Sequence, residues 1–82
     1  MISPEDIHSR ITEALPGATV DVQDMTGGGD HYEISIVAEQ FAGKTLIARH
    51  RMVHAPLKDV LGGALHAIKL DTRTPAEAAP AS

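Results

Sequence analysis

The sequence predicts an α+β domain of order α-β-β-α-α-β, a three-stranded mixed sheet with its helices on one face. The apolar period carries most of this: it is helical from Ser3 to Leu15, strand-like from Ala18 to Val37, helical from Lys44 to Leu61, and strand-like from Ala64 to Leu70. At 82 residues there is room for one hydrophobic core and not for two. A strand that returns through helices to a neighbouring strand makes a right-handed crossover, so the third strand must run parallel to the second.

Ser3-Pro4-Glu5-Asp6 starts the first helix with a capping hydroxyl, a proline whose missing N–H costs nothing, and carboxylates that suit the helix dipole. Ile2 and Ile7 stand at the positions of a hydrophobic staple, Ile7, Ile11 and Leu15 form one stripe, and Pro16-Gly17 ends it. Val20 and Val22 alternate with polar residues in the first strand; Tyr32, Ile34 and Ile36 share one face of the second. Gly27-Gly28-Gly29 between them forms a flexible loop joining two antiparallel strands. From Lys44 to Leu61, Leu46, His50, Val53, Leu57, Val60 and Leu61 fall on one side of a helix. Pro56 is expected to split this segment into two helices with a corner near His54-Ala55, closed by Gly62-Gly63. In the third strand His66, Ile68 and Leu70 share a face. Asp71 to Ser82 is expected to be unstructured, with the domain at residues 1–73 and a flexible Ala/Pro-rich tail at 74–82.

There is no cysteine, which excludes a disulfide framework and any thiolate supplied by this chain. The start of the chain lacks signal-peptide features and no apolar run reaches membrane-spanning length, so the expectation is a soluble, unprocessed, cytoplasmic protein. The net charge of −4 is uneven: residues 1–43 hold eight acids against Arg10 alone, residues 44–82 six bases against three acids. The second half suits an acidic partner or a phosphate, while the whole is too acidic for strong non-specific nucleic-acid binding.

Parallel pairing would bring His31, just before the second strand, and His66, opening the third, to one end of the sheet. Two imidazoles there form an open, incomplete metal site if the glycine loop bends His31 inward. The residues alone also admit two unrelated histidines at strand ends. His50 and His54, four apart, have a zinc-compatible spacing. Because His50 lies on the apolar stripe between Arg49 and Arg51, with no glutamate following it, it is assigned a structural, hydrogen-bonded role. Arg49 and Arg51 are instead expected to offer guanidinium forks to a partner's carboxylates or to glutathione. There is no cysteine nucleophile, serine elbow or phosphate loop, and no enzymatic activity is expected.

Phe41-Ala42-Gly43-Lys44, Arg49-His50-Arg51-Met52-Val53-His54, His66-Ala67-Ile68-Lys69-Leu70 and Thr74-Pro75, in this order and spacing, resemble the BolA family over residues 3 to 75. The resemblance implies a class II KH-like fold. It also implies a heterodimer with a monothiol glutaredoxin, in which the glutaredoxin cysteine, a glutathione thiol and histidines of this chain ligate a shared [2Fe-2S] cluster. His31 matches the family's ligand in the loop before the second strand, and His66 the histidine opening the third. Such a protein serves iron-sulfur cluster trafficking or iron and redox regulation, and carries no cofactor in isolation. Imidazole in place of thiolate raises a cluster's potential, as in Rieske centres.

The alternative implied by the resemblance is a DNA-binding transcriptional regulator. It would use the helix-turn-helix-like segment 45–61 with Lys44, Arg49, Arg51 and Lys58. The Gly-x-x-Gly loop of KH domains is missing between the later helices, so KH-type RNA binding is not expected. Alone, the chain is expected to be a monomer or a weak homodimer paired through a sheet edge.

Overall fold

The computed structural model describes residues 3–27, 31–61 and 67–79. The first helix, α1 (Pro4–Ala14), forms where its cap predicts it. The Ser3 hydroxyl oxygen accepts the Asp6 amide at 3.1 Å, and Ile7 and Ile11 turn inward. The other staple residue, Ile2, lies outside the described residues, as do Gly28, Gly29, Gly62 and Gly63.

Strand β1 (Thr19–Asp24) pairs antiparallel with β2 (His31–Val37), Val20 opposite Ile36 and Asp24 opposite Tyr32. Strand β3 (Ala67–Arg73) pairs with the other edge of β2 and runs parallel to it, as the crossover requires. On one face of the central strand Tyr32, Ile34 and Ile36 are buried, in register with Ile68, Leu70 and Thr72 of β3. Ile7, Ile11 and Leu15 of α1, with Val53 and Leu57 of helix α2 (Leu46–Leu57), complete the same core. Burying each such aliphatic side chain contributes about 1.5–3 kcal/mol, so this layer is the main source of stability.

Between β2 and α2 the chain makes a 3-10 turn, Glu39–Phe41, not foreseen from the periodicity. It drives Phe41 to full burial, and Gly43, at φ 74°, turns the chain so that the Lys44 amide donates to the Phe41 carbonyl at 3.0 Å. The Thr45 hydroxyl then caps α2, accepting the Ala48 amide at 3.1 Å.

Four sequence expectations are corrected. Pro56 does not split the helical segment: α2 runs through it to Leu57, because in the last turn proline forfeits one hydrogen bond of a ladder that is ending anyway. Beyond it the chain turns, and no second helix follows among residues 58–61. Leu46 has the spacing of the buried stripe but is 62% exposed, since the first turn of α2 projects past the core. The third strand spans Ala67–Arg73 rather than ending at Leu70: Asp71 and Arg73 occupy the open face of the sheet, where charge is tolerated, and Thr72 faces inward. Finally, the supposed tail folds into a one-turn helix, α3 (Pro75–Ala78), with a capping box in which the Thr74 hydroxyl accepts the Glu77 amide and the Glu77 carboxylate accepts the Thr74 amide.

Candidate functional site

At the end of β1, Asp24 Oδ1 accepts the amides of Thr26 at 3.2 Å and Gly27 at 2.9 Å, and Gly27 takes φ 77°. This side-chain-capped turn opens the loop toward β2, and the Met25 amide donating to the His31 carbonyl at 2.9 Å closes its base. His31 is the first residue of β2 rather than its predecessor. Its neighbour Tyr32 is buried, so the two-residue alternation places His31 on the opposite face, where it is exposed, and the inward bend expected of it is not made.

The parallel register sets His31 opposite Ala67. Paired strands lie about 4.8 Å apart, so the backbone that follows His66 in sequence passes directly beside His31. His66 itself lies outside the described residues. An exposed imidazole at a strand end is chemically suited to a borderline metal such as iron or zinc, and its donor is neutral, so negative ligands must come from elsewhere. Among the described residues no group of three or more His, Asp or Glu is arranged to hold a metal.

The other singled-out residues sit on or beside α2. Arg49 is built into the fold. Its Nη1 donates to Glu77 Oε1 at 2.7 Å and to the Thr72 carbonyl at 3.2 Å, its Nη2 to Glu77 Oε2 at 3.3 Å, and its Nε to the Lys44 carbonyl at 3.1 Å. The guanidinium also lies 5.9 Å from the Phe41 ring centroid. One side chain thus ties α2 to β3 and α3, and these bonds hold the Glu77 carboxyl down at about 2. At the other end of α2, Arg10 of α1 donates to Asp59 at 2.6 Å, keeping the Asp59 carboxyl below its usual range.

His50 is half-buried, and the hydrogen bond expected of it is not made at Nε2, which is buried without a partner. Its ring lies 6.5 Å from that of His54, inclined at 43°. Arg51, Lys44 and Lys58 are exposed. Arg51, His54, Ala55, Lys58 and Leu61 enclose a shallow cavity of about 270 Å³. The residue missed from the sequence is Glu77, the partner of Arg49. The Thr-Pro-x-Glu pattern of a capping box was the signal for it.

The chain matches known proteins along nearly its whole length. A family model described as BolA-like protein matches residues 7–77. Protein BOLA2 of Arabidopsis thaliana is 36% identical over 84 residues, covering 100% of this chain and 89% of that protein. BolA-like protein 1 of Homo sapiens is 33% identical over 78 residues, covering 87% of this chain but only 57% of the human protein's length. The DNA-binding transcriptional regulator BolA of Vibrio cholerae is 39% identical over 51 residues, 62% of this chain and 48% of that protein. The structure of the BolA domain of SufE1 from Arabidopsis thaliana superposes with a TM-score of 0.83 at 29% identity, over 94% of this chain and 99% of that one. Sequence, element order and superposition agree: the chain belongs to the BolA-like protein family.

Proposed function

We propose that this chain is a non-enzymatic adaptor that pairs with a monothiol glutaredoxin and supplies His31 and His66 to a shared [2Fe-2S] cluster, in iron-sulfur cluster trafficking or iron and redox regulation. The observation that carries the reading is the parallel register of β2 and β3, which sets His31 opposite Ala67, the residue bonded to His66. Membership in the BolA-like family supports it. A chain without cysteine brings no thiolate and imidazole is a neutral ligand, so in this reading a thiol-bearing partner and glutathione supply the negative charge that ferric iron needs. When bound, the cluster supplies one-electron redox chemistry. The role of this chain is to offer the His31 imidazole from the first position of β2, on the open face of the sheet, beside the backbone that leads from His66 into β3.

The test is reconstitution of the chain with glutaredoxin, glutathione, iron and sulfide. A 1:1 complex is expected, with a visible circular dichroism spectrum distinct from that of the glutaredoxin alone. His31→Ala and His66→Ala should each change that spectrum, and spectra indifferent to both substitutions would remove the histidines from the ligand set.

A second reading, a DNA-binding regulator, is favoured by the name of the Vibrio cholerae relative. It would rest on Arg51, Lys44 and Lys58, because Arg49 is already occupied by Glu77. Its mark is salt-dependent duplex binding that weakens in Arg51→Ala.

A further inference from the structure

The outer face of α2 carries a groove that the histidine rim does not use. Its floor is Ala55 and Leu61 and its walls are Arg51, His54 and Lys58. The helical residues recur three and four apart, so they share one face, and Ile47, 66% exposed, extends the apolar line one turn back. The charge on this face is of one sign. Asp59 is turned to Arg10 and Glu77 to Arg49, while among the described residues neither Arg51 nor Lys58 has an ion pair.

The groove also lies toward the proposed rim. Arg49, in the first turn of α2, reaches Thr72 near the C-terminal end of β3. The helix therefore runs back along β3, and Lys58 and Leu61 lie toward the end where Ala67 faces His31. A protein that reaches the rim is thus brought close to this face.

We propose that the groove is the docking surface for an acidic segment of the partner that completes the rim, an apolar side chain resting on Ala55 and Leu61 while flanking carboxylates pair with Arg51 and Lys58. The inference rests on the adaptor reading and adds a division of labour: α2 holds the partner, and the strand ends hold the iron. Affinity and coordination are then separable properties of this chain.

Calorimetric titration of the full chain with cluster-free monothiol glutaredoxin tests this, alongside the reconstituted spectrum. Arg51→Glu combined with Lys58→Glu should weaken binding by about tenfold or more, whereas Arg73→Glu, an exposed charge at the end of β3 remote from both the groove and His31, should change it by less than about twofold. At saturating glutaredoxin the double variant should still give the wild-type spectrum. His31→Ala should do the reverse, keeping the affinity and altering the spectrum. Wild-type affinity in a folded double variant overturns the groove and leaves the adaptor reading standing. So does a double variant that loses only salt-sensitive binding to duplex DNA, which would assign the groove to phosphate. A wild-type chain that binds no glutaredoxin overturns the adaptor reading itself.

Discussion

Truncating Phe41 to alanine should remove a large part of the stability of this domain. Phe41 is fully buried, contributed by a single 3-10 turn, and packs with Ile34, Ile36, Val53 and Leu57 in one core. A buried Phe→Ala change costs about 3–5 kcal/mol, the lost transfer energy plus the cavity left behind. A domain of this size has a total stability of roughly 4–12 kcal/mol, so the loss lies between about a quarter of it and all of it. With a urea dependence of about 1 kcal/mol per molar, the unfolding midpoint should fall by roughly 3–5 M. Phe41→Leu, which keeps most of the volume, should cost less than about 1.5 kcal/mol. Arg49→Met retains an unbranched stem beside the ring but removes the cation together with its bonds to Glu77, Thr72 and Lys44, so it should destabilise by more than the cation–ring contact alone, worth about 0.5–2 kcal/mol. Urea unfolding followed by circular dichroism measures each of these losses. A Phe41→Ala loss below about 1 kcal/mol would refute the view that this turn inserts a core residue rather than merely linking β2 to α2.

Other outcomes follow from local geometry. Gly43→Ala meets no steric neighbour, yet it places a side chain at φ 74° and should cost about 1–2 kcal/mol in the same unfolding assay. Ser3→Ala removes the acceptor for the Asp6 amide and should cost about 1 kcal/mol, seen first as fraying of α1 in amide exchange. The Glu77 carboxyl is held at about 2 against an ordinary 4.5, so its contribution is fully present above about 4.5 and is lost as pH falls through about 2. Carbon-detected NMR titration should find that low midpoint, and Arg49→Met should return it toward the ordinary value.

The elements legible from sequence are those in which one local rule acts alone. Ser3-Pro4 and the Ile7, Ile11, Leu15 stripe specify α1, and Tyr32, Ile34 and Ile36 specify the buried face of β2. Handedness of the crossover then gives the parallel β3 and with it the neighbourhood of His31. Where tertiary context decides, the local rule fails. Pro56 is a helix breaker by type but sits in a last turn, and Leu46 is apolar but lies beyond the core. Asp71-Thr72-Arg73 reads as polar tail because the strand's open face tolerates charge and Arg49 takes up the Thr72 carbonyl. The basic residues of α2 were equivalent in sequence. Only the fold distinguishes Arg49, spent on Glu77, from Arg51 and Lys58, which face outward around an apolar floor.

Pulsed electron paramagnetic resonance of the reduced heterocomplex, with nitrogen-15 histidine incorporated only into this chain, probes the iron coordination most directly. Strong couplings from two imidazole nitrogens are expected, one disappearing in His31→Ala and the other in His66→Ala. Absence of any nitrogen-15 coupling from this chain in a cluster-loaded complex would contradict the account.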